Sequence, residues 1–264
     1  MKYAVIAGVS GGMGYAAARK LTKEGYTVFG LDICEPEALP GLIYIPADLT
    51  DNADIMKAAE TVGGITDKIS CIVHMAGIYD LDSLVEIDDQ AFQRILDINL
   101  SAAYRVNKAF LPVLEKGGKI IIVTSELAPL DPLPFTGIYA ITKAALDRYA
   151  WSLRMELQLL GYHVTVLRPG AVKTGMILSS KQALDRFCSS TKLYPFNAAR
   201  FHQIVDRIEA RSIRPEKVAQ LVYKVLCSDH PRMVYNLNRN PLLLLMNMLP
   251  GRLQCMIIRK ILSN

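Results

Sequence analysis

Short aliphatic runs alternate with longer amphipathic stretches through most of the chain, and few architectures accommodate that order. Residues 2–7 read as a strand and 12–24 as a helix. Thr27 to Asp32 and Leu42 to Ile45 read as strands, followed by a helix over 52–62. Ile69 to Met75 is a buried strand, and a long helix runs from about Asp88 to Leu114. Asp88 and Asp89 stand where acidic side chains favour a helix start. Lys119 to Ser125 is a strand built on Ile-Ile-Ile-Val, a helix covers about Gly137 to Leu160, and Val164 to Leu167 is a strand that stops at Arg168-Pro169-Gly170. Pro215 opens a helix to about Cys227, Met233 to Leu237 is a last strand, and 240–263 is apolar and helical in character. The order predicts an α/β fold, a doubly wound parallel sheet with helices on both faces. Such sheets bind ligands in the loops at the carboxyl ends of their strands.

With 264 residues, 51% of them hydrophobic, the chain can bury a large core and suits one domain over 1–264. It holds no repeat, low-complexity tract or linker. Two parts stand apart. The segment 175–214 is long and irregular for a connection, which predicts a substrate-loop insertion acting as a helical lid; 240–264 reads as a C-terminal helical extension. The five cysteines form no CxxC pair or disulfide ladder, as expected of thiols in a reducing compartment. The four histidines are scattered, with no metal-ligand spacing, so no metal site is expected. The first residues show no signal-peptide pattern, and the longest apolar run, Leu242 to Leu249, is far too short for a membrane span. A cytoplasmic protein is expected. The net charge of +5 arises entirely after Asp229, the last acidic residue, in Arg232, Arg239, Arg252, Arg259 and Lys260. A nucleic-acid binder would carry a larger basic surface within its folded domain, so that class is set aside.

Ala7-Gly8-Val9-Ser10-Gly11-Gly12-Met13-Gly14 follows the first strand and opens the first helix. Glycine lets the backbone turn tightly and approach a pyrophosphate without a Cβ in the way, and the helix start offers free N–H groups to phosphate. The spacing is Gly-x-x-x-Gly-x-Gly rather than the Gly-x-Gly-x-x-Gly of most dinucleotide folds. A tight strand–helix turn is the plainer alternative. Asp32 ends the second strand, 18 residues beyond Gly14, with Ile33 next to it. A carboxylate there can accept the adenosine ribose hydroxyls and would repel a 2′-phosphate, and no Arg or Lys lies in the glycine loop. Both features favour NAD over NADP, and the order of elements makes the sheet Rossmann-like.

Tyr139 and Lys143 lie four apart at the start of a helix, on one face. A free tyrosine, with a pKa of about 10, is a poor base near neutrality. A neighbouring ammonium is expected to stabilise the phenolate and lower that pKa, which makes the pair a sensible acid/base. Alone, Tyr and Lys at this spacing are common on helix surfaces. The order of elements adds weight: Gly8-x-x-x-Gly12-x-Gly14, Asp48, Ala76-Gly77, Asn99, Ser125, Tyr139-x-x-x-Lys143 and Pro169-Gly170-x-x-x-Thr174 follow one another over about two-thirds of the chain.

In these motifs the chain resembles the short-chain dehydrogenase/reductase family. The resemblance implies an oxidoreductase passing a hydride between nicotinamide and an alcohol or ketone. It implies that Ser125 holds the substrate oxygen, that Tyr139 is the acid/base, and that Lys143 binds the nicotinamide ribose and tunes Tyr139. Asn99 would hold a proton-relaying water. The cofactor set implied is Gly8, Ser10, Gly12, Met13, Gly14, Asp32, Ile33, Asp48, Leu49, Ala76, Gly77, Tyr139, Lys143, Pro169, Gly170, Val172 and Thr174, with Asp48 and Leu49 at the adenine and Pro169 to Thr174 along the nicotinamide carboxamide and pyrophosphate. There are departures. Ala7 stands where the family usually has Thr, and His74-Met75 replaces a pair of asparagines. His74 reads as a satisfied strand histidine. Ser125 to Tyr139 is one residue longer than is common, and the proline-rich loop Pro129 to Pro134 can absorb it.

The lid and tail loosely resemble the branch that acts on steroids, retinoids and similar lipids, which implies a bulky apolar substrate such as a hydroxysteroid. Met176, Ile177, Leu178, Phe187, Tyr194, Phe196 and Phe201 could form the apolar lid, or could simply be helix faces packed on the core. The tail could sit at the pocket mouth and attract an amphiphilic or anionic substrate, dock peripherally on an acidic membrane, or pack as a plain terminal helix. A homo-oligomer, dimer or tetramer, built on the two long helices is expected. Two other classes stay open: a non-catalytic NAD-binding sensor, and a peripheral membrane protein docking through its basic tail.

Overall fold

Every strand expected from the aliphatic runs enters one sheet in the computed structural model, which describes residues 2–207 and 212–263. β1 (Lys2–Ala7), β2 (Tyr26–Asp32), β3 (Leu42–Pro46), β4 (Ile69–His74), β5 (Leu114–Val123), β6 (His163–Pro169) and β7 (Val234–Leu237) pair in parallel in the order β3-β2-β1-β4-β5-β6-β7. The chain winds outward from β1 to β3, then returns to set β4 on the other side of β1. The carboxyl ends of β1 and β4 therefore flank the switch point where such sheets bind ligands.

The aliphatic runs are continuous because both faces of the sheet are covered. Along β5, Ile120 and Ile122 pack under α2 (Asn52–Gly63), α4 (Ala102–Phe110) and α5 (Gly137–Leu157), while Ile121 and Val123 pack under α1 (Gly12–Lys23) and α8 (Pro215–Leu226). Alternation of side chains across the strand produces the two cores. Asp88 caps α3 (Asp89–Leu96), accepting the N–H groups of Gln90 and Ala91 at 2.9 and 3.2 Å.

Three local expectations need correction. The helix expected over 88–114 is broken by a π-helical turn at Asp97–Ser101 and ends at Phe110, because Pro112 lacks the N–H that would continue it. β5 starts earlier than Lys119 and ends before Ser125. Leu114 already faces Ile69, and a bulge with Gly117 in the left-handed region (φ 77°) absorbs the residues before Lys119 pairs with Cys71. The 175–214 segment is mostly regular: α6 (Gly175–Ser190) and α7 (Pro195–Arg207) fill it, and its residues 208–211 lie outside the described residues, as do Met1 and Asn264 of the 1–264 domain and the 240–264 extension.

α6 and α7 pack with α10 (Gly251–Leu262) through Leu184, Phe187, Phe201 and Leu262. Glu86 fastens their connection, accepting from Thr191 Oγ1 at 2.6 Å and from the N–H groups of Lys192 and Leu193 at 2.7 and 3.0 Å. Arg186 pairs with Asp80. The C-terminal extension, α9 (Pro241–Asn247) and α10, is tied to the loop after β5. Asn240 N–H donates to Glu126 at 2.5 Å, Asp131 N–H donates to Asn247 Oδ1 at 2.7 Å, and Gln254 donates to Asp131 at 3.2 Å. The helices α6, α7, α9 and α10 thus form one layer beside the carboxyl ends of β5 and β6.

Candidate active site

The glycine turn is folded so tightly that each expected glycine meets a different neighbour. Gly8 has φ 87°, and a Cβ there would lie 2.3 Å from Ala76 N. A Cβ on Gly14 would lie 2.0 Å from Gly8 O, and one on Gly12 2.9 Å from Thr174 Cγ2. Gly8, Gly12, Gly14, Ala76 and Thr174, separated in sequence, thus converge at the start of α1. No side chain caps that helix, and no acidic residue sits in its first turn. Tyr15 N–H is the first to reach a helical carbonyl, that of Gly11 at 2.8 Å. The preceding N–H groups, with Ser10 and Met13 beside them, are the free donors of a helix start. Gly11 borders open space, its would-be Cβ meeting only Gly8 O at 3.7 Å. This cradle fits a pyrophosphate.

Asp32 is bound to the same turn. One carboxylate oxygen accepts Ser10 N–H at 2.9 Å, and the other accepts Ile33 N–H at 2.8 Å. The oxygen facing Ile33 also accepts Cys34 N–H at 3.4 Å; a carboxylate has about four acceptor positions, so about one remains for a hydroxyl donor. Glu35 and Glu37 follow within five residues, and no cation occurs between Asp32 and Pro40. Ile33 is 68% exposed, an apolar surface fit for a flat base. The next expected pair is placed less directly. Asp48 spends one oxygen on Thr50 N–H and Oγ1 at 2.8 and 2.7 Å, bonds that hold its carboxyl below the usual range, and Leu49 is buried in the core.

The catalytic candidates gather beside Gly77. A Cβ on Gly77 would lie 3.1 Å from Lys143 Nζ and 3.3 Å from Asn99 Oδ1. Asn99 sits in the π-helical turn, whose widened backbone presents it inward. Its Oδ1 accepts Ile78 N–H at 2.8 Å, and its Nδ2 donates to Ile78 O at 2.9 Å and Thr142 Oγ1 at 3.0 Å. It therefore clips the Ala76–Ile78 turn to α5. Tyr139 and Lys143 are buried on one face of α5, with Lys143 Nζ 5.7 Å from the tyrosine ring centre. The Ser125 hydroxyl lies beside the Tyr139 phenol and acts to lower its pKa, and it accepts Leu127 N–H at 3.2 Å.

The ionisations differ from expectation. Burial pushes the Tyr139 phenol up to about 12, with only the Ser125 hydroxyl pulling it down. Burial also draws the Lys143 ammonium down to about 8. The expected depression of Tyr139 by Lys143 is absent from the protein alone, because the cost of burying a charge outweighs a lysine more than 5 Å from the ring. The pair can still give or take a proton at Tyr139 Oη, next to a hydroxyl that can hold an oxygen atom. His74 is a satisfied strand histidine, its ring within 2.7 Å of Asn107 Oδ1.

The β6 end completes the wall. Pro169 and Gly170 lie between the β5 and β7 ends: Glu126 N–H donates to Pro169 O and Gly170 N–H to Leu237 O, both at 2.8 Å. Val172 is buried, and Thr174 precedes α6 with no capping bond of its own. Sequence reasoning missed three residues here. Tyr79 packs tilted against Tyr139, with 4.7 Å between ring centres and 47° between ring planes. Thr142 anchors Asn99. The half-buried Glu126 carboxylate borders Gly170 and holds Asn240. None carries a local signal, since each is defined by a partner distant in sequence.

Among the described residues there is no cluster of His, Cys, Asp and Glu able to hold a metal ion, and no helix is long and apolar enough to cross a membrane. The family model described as short chain dehydrogenase matches residues 2–185. Estradiol 17-beta-dehydrogenase 2 of Mus musculus is 29% identical over 208 residues, covering 70% of this chain and 54% of that one, so the chain matches little more than half of that relative. Oxidoreductase UcpA of Escherichia coli K12 is 30% identical over 186 residues, 66% of this chain and 71% of that one. A short chain dehydrogenase family protein from Francisella tularensis has the same fold, with a TM-score of 0.74 at 22% identity over 89% of this chain and 96% of that one.

Proposed function

The chain belongs to the short-chain dehydrogenase/reductase family of oxidoreductases, and from that premise we propose that it is an NAD-dependent enzyme interconverting a bulky, apolar secondary alcohol and its ketone. The buried Ser125–Tyr139–Lys143 group beside the glycine cradle carries this reading. Bound nicotinamide supplies the acceptor or donor of hydride. The chain supplies position and a proton. In reduction, Ser125 Oγ–H and Tyr139 Oη–H both hydrogen-bond the carbonyl oxygen, and Tyr139 gives up its proton as that oxygen becomes an alcohol. In oxidation the proton returns to Tyr139. Lys143 would bind the nicotinamide ribose, and Asn99 would hold the water that reconnects Lys143 to solvent.

The cofactor would lie along Gly8, Ser10, Gly12, Met13 and Gly14, with Asp32 and Ile33 at the adenosine ribose and Asp48 and Leu49 toward the adenine. Ala76 and Gly77 floor the cleft, and Pro169, Gly170, Val172 and Thr174 line its nicotinamide end. NAD is preferred because Asp32, Glu35 and Glu37 form an acidic rim that disfavours a 2′-phosphate. The helical layer of α6, α7, α9 and α10 beside the site and the likeness to an estradiol dehydrogenase support a hydroxysteroid-like substrate class. Half-exposed Tyr104, Trp151 and Met155 on α4 and α5 support a homo-oligomer through those helices, read by light scattering. The unpaired thiols fit a cytoplasmic setting.

The test follows NADH absorbance with a panel of steroid, retinoid and short-chain alcohols and ketones. Tyr139→Phe is expected to lower kcat by 10²-fold or more, the usual worth of general acid–base catalysis. Turnover that survives this change would end the acid/base assignment.

A further inference from the structure

A groove of about 370 Å³ lies between α10, α7 and the segments around Leu84 and Phe135. Its walls are mostly apolar: Leu84, Val85, Phe135, Tyr194 and Ile258. Arg259 is its one charged lining residue. Among the described residues the Arg259 guanidinium makes no hydrogen bond or ion pair, and nothing lining the groove is acidic. Leu84 and Val85 remain 52% and 70% exposed, so the apolar wall faces solvent.

The groove is built rather than incidental. Phe135 adopts φ 67°, a left-handed backbone that a bulky residue avoids, and its ring is held by Phe187, Tyr194 and Phe201 at 4.6 to 5.6 Å between centres. Asn197 Nδ2 donates to Leu262 O and Arg200 Nε to Ile261 O, both at 2.7 Å. These bonds lock α10 to α7 and keep Arg259 at the groove's edge. The other wall reaches the catalytic helix. Phe135 leads directly into α5, and a Cβ on Gly137, two residues before Tyr139, would lie 3.0 Å from Leu84 Cδ1.

We propose that this groove receives the apolar body of an organic anion whose charged group pairs with Arg259, so that the substrate is an apolar alcohol or ketone carrying a carboxylate, sulfate or phosphate remote from the reacting carbon. The proposal rests on the dehydrogenase reading for the word substrate, but the site itself does not. A volume of a few hundred cubic ångströms with mostly apolar walls and few polar groups is ordinary for a small-molecule site. Arginine is the side chain suited to such anions, since its planar fork donates two parallel hydrogen bonds.

Two fluorescent probes separate charge from apolar body. Anilinonaphthalene sulfonate and N-phenyl-1-naphthylamine share a ring system and differ by the sulfonate. Both are titrated into the full chain with NAD present. Arg259→Gln is expected to lower the ratio of their affinities, sulfonate over neutral, about tenfold, equivalent to about 1.4 kcal/mol. Leu84→Asp weakens both probes, and Arg252→Gln, a tail cation outside the groove, changes neither. An unchanged ratio in Arg259→Gln, or an equal fall in Arg252→Gln, overturns the proposal. So does binding of Arg259 to phosphatidylglycerol vesicles without any probe selectivity, which would make the tail a membrane contact.

Turnover divides the two readings. With a steroid ketone bearing a carboxylate side chain and its methyl ester, Arg259→Gln should raise the KM ratio of acid to ester about tenfold while the kcat ratio holds. Probe selectivity without turnover of any alcohol sinks the dehydrogenase reading and keeps the site. Turnover with an unmoved probe ratio and KM ratio keeps the enzyme and sinks the site.

Discussion

Lowering the pH below neutrality should destabilise this protein through His74, and replacing that histidine should remove the effect. His74 ends β4 with its side chain buried. Asn107 Nδ2 donates to Tyr149 Oη at 3.0 Å, so Asn107 Oδ1 is the acceptor at 2.7 Å from His74 Nε2, and the ring is neutral with its proton on Nε2. Burial lowers its pKa from 6.5 to about 4, outweighing the Asn107 bond, which acts in the other direction. Between those two values the unfolded chain binds a proton that the folded chain refuses. Stability is therefore full above the unfolded pKa of 6.5, falls as pH drops toward about 4, and levels off below it. At 1.36 kcal/mol per pH unit, the loss is about 1.4 kcal/mol at pH 5.5 and about 3 kcal/mol by pH 4. That is a large part of a typical stability of about 5 to 15 kcal/mol. Urea unfolding at pH 7.5, 6.5, 5.5 and 4.5 measures it, with His74→Gln as the partner because glutamine keeps an N–H donor for Asn107. The comparison cancels the carboxylates common to both proteins, including Glu126 and Asp82, whose burial raises their pKa values. Wild type should lose about 1.4 kcal/mol more than the variant between pH 7.5 and 5.5. A difference that stays constant within about 0.5 kcal/mol would refute the reasoning.

Gly14→Ala should abolish NADH binding in a fluorescence titration and lower the melting temperature, because its Cβ would lie 2.0 Å from the Gly8 carbonyl oxygen, a backbone atom that cannot step aside. Asp32→Ala should weaken NAD about tenfold or more while leaving NADP little changed, so the ratio of the two dissociation constants is the reading; an unmoved ratio removes Asp32 as the selector. Asp88→Ala should cost about 1 kcal/mol in urea unfolding, since it leaves the N–H groups of Gln90 and Ala91 without their cap, with kcat unaffected.

The parts of this molecule that were legible in the sequence are those set by local periodicity and local spacing. Seven aliphatic runs became seven strands because a parallel sheet covered on both faces leaves little room for polar residues, His74 and Thr165 being buried exceptions. The glycine turn lies within one short window, whereas the Tyr139–Lys143 pair, common on helix surfaces by itself, gained its weight only from the order of elements around it. Where the signal was interrupted the reading slipped. Lys116-Gly117-Gly118 hid the first part of β5, whose Leu114 pairs with Ile69 across a bulge. A π-helical turn leaves hydrophobic spacing almost unchanged, so Asp97–Ser101 was invisible as a break, and only the family resemblance singled out Asn99 within it. Pairings such as Gly12 with Thr174 and Glu126 with Asn240 depend on the sheet order, and no window of sequence contains both members.

The ionisations of Tyr139 and Lys143 show why the site needs more than the chain alone. With the phenol near 12 and the ammonium near 8, the buried pair favours its uncharged forms. A neutral phenol is already a competent donor, so giving a proton to a carbonyl needs only correct placement beside Ser125. Taking a proton from an alcohol is different, because it requires the phenolate that burial disfavours. The same burial strengthens any positive charge brought nearby. At an effective dielectric constant of about 20, a unit charge about 5 Å away contributes about 3 kcal/mol, or about two pH units. Lys143 in its ammonium form and an oxidised nicotinamide ring would act together in that sense, while a reduced ring carries no such charge. Burial of Tyr139, with Tyr79 tilted against it, would hold the phenol in its donating form beside a reduced ring and would strengthen the pull of an oxidised, positive ring toward the phenolate.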